Sequence, residues 1–237
     1  MLETIMLDGA AALGIEMSEA QAAQFARYHG LLTEANRRMN LTRVPEEIRE
    51  SADRNYLDSI AVLAHGLPDA ANAIDVGSGA GFPGIPLSIM LPDTRFTLMD
   101  SLAKRVEFLQ TVIDALGLSA EAVHLWAEDA GRNPALRERF DLAVARAVAP
   151  MNVLCELMLP LVKVGGAMAA MKGPGLDEEL DAARDAIALL GGRIARVTPL
   201  PLPGRDWDHR AAFIEKVSPT PEKYPRQAGI PKKRPLS

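Results

Sequence analysis

The stretch Ala73–Leu87, AIDVGSGAGFPGIPL, decides the fold. It starts as a short apolar strand, Ala73–Val76, and runs into a turn with four glycines in eight residues, followed by a predicted helix. Strand, glycine-rich turn and helix in this order are typical of an open α/β sheet that binds a nucleotide-like ligand. Glycine has no Cβ, so such a ligand can lie directly against the backbone.

The turn leaves two ligand classes open. Gly79–Gly84 satisfies the G-x-G-x-x-G fingerprint of dinucleotide sites. Asp75, beside the turn, would repel a pyrophosphate but attract the sulfonium and ammonium groups of S-adenosylmethionine. Ile85-Pro86 stands where a P-loop needs Lys-Ser/Thr, which excludes an NTPase. Taken alone, the stretch favours adenosylmethionine over a dinucleotide.

Composition narrows the class of protein. The chain has 237 residues and no apolar run near the ~20 needed to cross a bilayer. Its first residues lack the basic start of a signal peptide, and the single cysteine, Cys155, fits a reducing compartment. The four histidines are scattered, so we expect no metal site. We therefore expect a cytoplasmic protein that is not bound to a membrane.

Three segments differ in pattern. Residues 1–70 read as a helical cap: the capping box Ser18-Glu19-Ala20-Gln21 starts one helix, Pro45 is placed to start another, and Asp53–His65 reads as a further one. Residues 71–218 alternate strands and helices, as in a mostly parallel sheet. Residues 219–237 form a tail that carries a net charge of +4, which leaves −9 for the rest of the chain.

The last two predicted strands of the sheet domain distinguish between a fold that binds S-adenosylmethionine and one that binds a dinucleotide. The predicted strands Arg193–Pro199 and Ala211–Val217 are joined by a short Pro/Gly loop without a helix. Parallel neighbours need a crossover of a dozen or more residues, so this pair should be antiparallel. A Rossmann-like, seven-stranded, mostly parallel sheet whose last strand is antiparallel is the class I S-adenosylmethionine-dependent methyltransferase fold. Dinucleotide folds normally stay parallel.

Polar residues at the predicted strand ends are candidates for the site. Asp100 can accept the ribose hydroxyls, and Ala127-Glu128 lies where an adenine would lie. Arg146 ends an apolar strand, where a charge is costly unless it meets an anion or lines a cleft. That anion could be the donor's carboxylate or an RNA phosphate. Lys172 ends the next strand at the same edge.

Several motifs occur in order along nearly the whole chain. They are Asn40-Leu41-Thr42, Asp58-Ser59, the glycine stretch, Leu98-Met99-Asp100-Ser101 with Lys104-Arg105, Arg146-Ala147, Met171-Lys172-Gly173, and Tyr224-Pro225-Arg226 with Gly229-Ile230-Pro231. Together they resemble the small-subunit ribosomal RNA methyltransferase G family, also called glucose-inhibited division protein B. One departure is Arg54-Asn55, where the family usually has Arg-His.

The resemblance implies a reaction. The family transfers a methyl group from S-adenosylmethionine to N7 of one guanine of 16S rRNA, position 527. N7 of neutral guanine has a free lone pair, so no proton has to leave before attack and no general base is needed. Catalysis then requires in-line alignment and desolvation. Because the A-form major groove is too narrow for side chains, the target should be a loop base or partly opened RNA.

The expected site residues follow from these arguments. Donor contacts carried over from the family are Gly77, Phe82, Ala127, Glu128 and Arg146, and the loop and ribose arguments add Asp75, Ser78, Gly79 and Asp100. The candidate catalytic residues are Arg146 and Lys172. The candidate RNA contacts are Arg54, Lys104, Arg105, Lys172, Lys223 and Arg226.

The expected partner is 16S rRNA, either free, in an assembly intermediate or in the finished small ribosomal subunit, and we expect a monomer. A basic tail on an acidic body indicates a local contact with an anion. Deleting residues 219–237 is therefore predicted to weaken RNA binding and to leave donor affinity intact. Two alternatives stay open: a methyltransferase of a small molecule or protein, and a cofactor-sensing RNA-binding or ribosome-assembly module whose methyl transfer is incidental.

Overall fold

The chain begins with two helices. The computed structural model describes residues 1–39, 41–42 and 44–236, so Asn40 of the first family motif lies outside the described residues. Helix α1 spans Leu2–Ala12 and helix α2 spans Glu19–Met39. The predicted capping box is present, because the Gln21 N–H donates to Ser18 Oγ at 3.2 Å and the Ser18 N–H donates to Gln21 Oε1 at 2.9 Å.

The next helical run differs from the prediction. The separate helices expected from Pro45 and over Asp53–His65 are one continuous run that begins at Ile48, because Ala52 keeps helical dihedral angles (φ −60°, ψ −49°). The run changes type along its length: α3 (Ile48–Ser51), a π-helical turn (Ala52–Leu57), α4 (Asp58–Ile60) and a 3-10 turn (Ala61–His65). Gly66, in the left-handed region, ends it.

The sheet has the predicted seven strands. They are β1 (Asn72–Val76), β2 (Arg95–Asp100), β3 (Ala120–His124), β4 (Phe140–Arg146), β5 (Val162–Lys172), β6 (Gly192–Pro199) and β7 (Arg210–Lys216). Their order is β3-β2-β1-β4-β5-β7-β6, and β7 lies antiparallel between β5 and β6. The other pairings are parallel. The predicted antiparallel ending is confirmed.

Helices connect the strands and end the chain. They are α5 (Gly84–Met90), α6 (Ala103–Leu116), α7 (Ala127–Ala130), α8 (Met151–Met158), α9 (Leu176–Leu189) and α10 (Ile230–Lys233). Several predicted boundaries were wrong, including the start of β5, which was expected at Ala167 and lies at Val162. Strand β3 was expected over Ala122–Trp126 but pairs with β2 only as far as His124. Helix α8 was expected to reach Val164 but ends at Met158, just before Pro160, which disfavours helix in the residue that precedes it.

The helical cap and one face of the sheet share a single hydrophobic core. Phe25 and Tyr28 of α2, Tyr56 of the π-helical turn and Phe82 of the glycine loop form an aromatic cluster with ring centroids 5.6–5.8 Å apart. A second core lies on the other face, under α8 and α9. The glycine loop is therefore supported directly by the cap.

Candidate active site

A cavity of about 730 Å³ opens at the carboxyl ends of the parallel strands. In open α/β sheets this edge is where ligands bind. Its walls come from the ends of β1, β2 and β4, from the start of α7 and from the C-terminal segment. They include Val76, Gly77, Met99, Asp100, Arg105, Leu125, Trp126, Ala127, Glu128, Arg146, Val148, Gly229, Pro231, Lys232 and Pro235.

Bare backbone at Gly77 forms one wall of this cavity. Gly77 has φ +77°, and a Cβ at this position would come within 3.1 Å of the Val148 side chain. The turn is held by the N–H groups of Gly77 and Ser78, which both donate to Met99 O, at 2.9 and 3.0 Å. From the cap, the Tyr28 hydroxyl donates to Ala80 O at 2.6 Å. The loop conformation thus depends on β2 and on α2.

Asp75 does not face the cavity, contrary to the expectation that it meets a cation there. Its side chain is fully buried behind the turn, where Oδ2 accepts the Gly84 N–H at 2.9 Å. Burial raises the pKa of Asp75 to about 7, although the Gly84 hydrogen bond and nearby Arg146 act in the opposite direction. A carboxylate at this position shapes the start of α5 from inside, and Ser78, also buried, donates to Asp75 O at 3.1 Å.

Two carboxylates of the cavity wall lie where the sequence placed them. Asp100 accepts the Gly79 N–H at Oδ2 and the Leu102 N–H at Oδ1, both at 2.9 Å. Glu128, at the start of α7, accepts the Gly229 N–H at Oε1, also at 2.9 Å. Gly79 therefore acts through Asp100 and does not itself line the cavity.

Arg146 occupies the edge of the cavity next to the cap. Its Nη1 donates to Asp58 Oδ2 and to Arg54 O, both at 2.9 Å. Its guanidinium carbon lies 4.9 Å from the centroid of the Phe82 ring, within the range of a cation–π contact. Phe82 thus contributes to the site by supporting Arg146 and is not part of the cavity wall.

Asp58 links Arg146 to a histidine that sequence reasoning set aside as structural. His209 Nδ1 lies 2.7 Å from Asp58 Oδ1, and this hydrogen bond, together with the Asp58 charge, raises the pKa of His209 despite its partial burial. The three side chains come from α4, from the end of β4 and from the β6–β7 loop. Asp58 was noted only as part of a motif, and the missing signal was the contact between these distant elements.

Comparison with known proteins decides the family. The family model described as "rRNA small subunit methyltransferase G" matches residues 21–203. Proteins named ribosomal RNA small subunit methyltransferase G from Lactobacillus johnsonii and Pelotomaculum thermopropionicum are each 46% identical, over 94% and 100% of this chain and 95% and 99% of theirs. The chain belongs to the rRNA small subunit methyltransferase G family.

Solved structures agree on the fold of this family member. Cofactor-bound Rv0187 from MTB has a TM-score of 0.57 at 20% identity and covers 83% of this chain and 91% of its own. Aeropyrum pernix fibrillarin with natively bound S-adenosyl-L-methionine has a TM-score of 0.51 at 18% identity and covers 69% and 75%. The fold is that of a class I methyltransferase, and the cofactor of the family is S-adenosyl-L-methionine.

The cavity fits that cofactor. Exposed backbone at Gly77 leaves room for close approach, Asp100 and Glu128 offer carboxylate oxygens to hydroxyl and amino groups, and Met99, Leu125 and Trp126 provide apolar surface. In the described part of the chain, no group of three or more His, Cys, Asp or Glu is placed to hold a metal ion. None of the described helices has the length and hydropathy to span a membrane.

Lys172 lies in a different place from the one expected for a catalytic or RNA-binding residue. Its side chain is 10% exposed, and Nζ contacts Ala149 O at 2.8 Å and Glu179 Oε2 at 2.7 Å. Glu179 in turn accepts the Met151 N–H at 2.9 Å. The pair fixes the loop after β4, which lines the cavity, because both ends of that pair bind its backbone. The catalytic and RNA-binding roles expected for Lys172 stay predictions.

The other expected RNA contacts fall into two groups, one near the cavity and one in the tail. Arg54, 54% exposed, packs over Trp207 at 4.9 Å, while Lys104 and Arg105 lie at the start of α6, where Arg105 lines the cavity. Lys223 lies over the Tyr224 ring, outside the cavity wall. Arg226 forms a two-pronged ion pair with the fully buried Glu156, at 2.9 and 2.6 Å. Arg226 therefore anchors the tail, and its expected contact with RNA stays a prediction.

Proposed function

We propose that this protein transfers the methyl group of S-adenosylmethionine to N7 of a guanine of 16S rRNA, at position 527. The names of the relatives support a ribosomal RNA acceptor in the small subunit. The chemistry of the side chains that line the cavity supports N7 of guanine as the atom that accepts the methyl group.

The observation that carries the proposal is the chemistry of the residues that line the cavity. Among the described residues that line the cavity, the carboxylates are Asp100 and Glu128, and neither histidine nor cysteine is present. Both carboxylates accept backbone N–H hydrogen bonds. Attack by N7 releases no proton, so this site is suited to a nucleophile that needs no general base. Methylation of an exocyclic amine would have to release one.

The bound cofactor supplies an electrophilic methyl group. The role of the chain is to hold it: Asp100 is placed for the ribose hydroxyls, and Ala127 and Glu128 for the adenine. Arg146 is placed either for the donor's carboxylate or for an RNA phosphate, because its guanidinium is planar and offers N–H groups beyond the two bonds of Nη1. Enclosure by apolar walls excludes water from the transfer.

The acceptor surface lies beside Arg146. Arg54 is exposed and stacks on Trp207, and Arg205 lies 5.3 Å from the same ring. A tryptophan flanked by cations is suited to an unpaired base and its phosphates. Lys104 and Arg105 extend the positive charge along the start of α6. We place the acceptor strand across these groups, with a single molecule of the protein acting in the cytoplasm.

Product analysis tests the function. The protein is incubated with labelled S-adenosylmethionine and with 16S rRNA, both naked and in small-subunit particles, and the RNA is digested for nucleoside mass spectrometry. We expect label in 7-methylguanosine at one position, and a G527A RNA as matched control should take up none. Label in another nucleoside, or equal labelling of the control RNA, would contradict the proposal.

A further inference from the structure

The C-terminal segment follows a defined path along the molecule. Arg137 donates to Tyr224 O at 2.8 Å and to Thr220 O at 2.6 Å, and Arg132 donates to Pro225 O at 2.7 Å. A fully buried carboxylate, Glu156 of α8, then receives the Arg226 guanidinium. Charge-assisted bonds of this kind to a buried partner are strong, so the segment is fixed up to Arg226.

Beyond Arg226 the chain enters the cavity wall. The Gly229 N–H meets Glu128, and Asn152 Nδ2 of α8 donates to Leu236 O at 3.0 Å. Between these two contacts, Gly229, Pro231, Lys232 and Pro235 line the cavity. Pro231 is buried, which means that the protein encloses it even though it lies in a terminal segment.

We propose that residues 229–235 are a binding element of the methyl-donor site. The inference rests on the donor occupying this cavity. Pro231 and Pro235 supply wall surface, and the Gly229 N–H orients Glu128, the carboxylate placed for the adenine. Removing this segment opens one side of the cavity to water and frees Glu128. Donor affinity therefore depends on the tail, contrary to the expectation that tail deletion leaves it intact.

Calorimetry with the full chain and with a variant that lacks residues 228–237 tests this inference. The variant keeps the Arg226–Glu156 pair, and hence the anchors that hold the rest of the tail. Titration with S-adenosylhomocysteine in the absence of RNA should show a Kd raised about tenfold or more, equivalent to about 1.4 kcal/mol. A Kd within about twofold of that of the full chain would overturn the inference.

Matched variants keep the test decisive. Glu222→Ala removes the charge of an exposed tail residue that lies outside residues 229–235 and outside the cavity wall, and it should leave the Kd unchanged. Gly229→Ala, at φ +79° with open space around its Cβ, strains the backbone that meets Glu128 and should weaken binding even if the truncated chain does not fold. Binding by Gly229→Ala equal to that of the full chain would count against the inference.

A third variant separates failure of the tail from failure of the site. Asp100→Asn removes a carboxylate of the cavity that is not part of the tail. If Asp100→Asn weakens donor binding and the truncation does not, the cavity holds the donor and the tail inference is wrong. If neither changes the Kd, the donor binds elsewhere, and both the inference and the assignment of the donor site fall.

Discussion

The Arg146 guanidinium is held by contacts on several sides: Asp58 and the Arg54 carbonyl accept its N–H groups, and the Phe82 ring lies against it. Its side chain is only 17% exposed. A charge that is this enclosed costs desolvation energy, and its bonds to the protein offset that cost. Because one face of the group still meets the cavity, the contacts fix the cation relative to the bound substrate.

Replacing Arg146 with alanine should therefore abolish methyl transfer. Removing one preorganised donor at a site typically costs about 10²–10³-fold in rate. Arg146→Lys keeps the charge but loses the planar fork, so we expect a partial loss in kcat/KM. Circular dichroism and thermal unfolding check that both variants fold. Turnover by folded Arg146→Ala at the rate of the unchanged protein would assign the residue to structure alone.

His209 makes the stability of this region depend on pH. Its pKa is raised in the folded protein by Asp58, so its contribution to stability is complete below the unfolded value of about 6.5. The contribution is lost as the pH rises through the folded pKa. His209→Gln should therefore lower the Tm most at pH 5 to 6, with the difference from the unchanged protein shrinking toward pH 9.

The Tm difference between the two proteins isolates this effect. Asp75, whose pKa is raised to about 7 by burial, also titrates in this range, but it is present in both proteins and cancels in the difference. A Tm difference that stays constant from pH 5 to 9 would mean that the Asp58–His209 contact does not depend on protonation of the histidine.

At the scale of elements, helix α2 of the cap supports the glycine loop. The Tyr28 hydroxyl is fully buried and donates to a carbonyl of the turn, while Tyr56 of the same aromatic cluster lies 2.9 Å from His29 Nδ1 and makes no hydrogen bond to the loop. Tyr28, unlike Tyr56, therefore sets the conformation of the glycine-loop backbone at the cavity.

Tyr28→Phe leaves the Ala80 carbonyl buried without its partner. Loss of one partner of a buried hydrogen bond costs about 1–3 kcal/mol. We expect a lower Tm and a donor Kd raised several-fold. Tyr56→Phe is the matched control, since it should lower the Tm but leave donor affinity as it is. Equal donor Kd values for Tyr28→Phe and Tyr56→Phe would mean that the hydrogen bond from Tyr28 of the cap does not control donor binding by the glycine loop.

The sequence was most informative where function depends on local pattern. The glycine turn, the alternation of strands and helices and the antiparallel β6–β7 pair follow from residue spacing and loop length. It was least informative where residues meet through tertiary contact. Asp75 points into the protein rather than into the cavity. Lys172 pairs with Glu179, and Glu179 accepts the N–H of Met151, which lies 28 residues earlier in the chain. No residue spacing reveals these contacts.

Because the cap and the sheet share one hydrophobic core, we expect the whole molecule to unfold as a single cooperative unit. The cap contributes Phe25, Tyr28 and Tyr56 to the core that also covers one face of the sheet. Two tryptophans report on different regions: Trp126 lines the cavity, and Trp207 packs beside the cap. In urea, the single-tryptophan variants Trp207→Phe and Trp126→Phe should show coincident transitions by fluorescence.

Non-coincident transitions would contradict that expectation. An earlier loss of the Trp207 signal would mean that the cap separates from the sheet before the sheet unfolds. Far-ultraviolet circular dichroism of the same samples serves as the control, because it follows the helices of both regions. A midpoint that agrees with both tryptophan signals is the outcome expected for a single cooperative unit.

The position of the tail in the cavity wall also bears on the order of synthesis. Residues 229–235 follow every strand of the sheet in the chain, so a translating ribosome adds them after β7 is complete. A nascent chain whose sheet has already emerged still lacks one wall of the cavity. Completion of the cavity thus comes after synthesis of the sheet, and a stalled chain that ends at β7 carries the glycine loop, Asp100 and Arg146 without this wall.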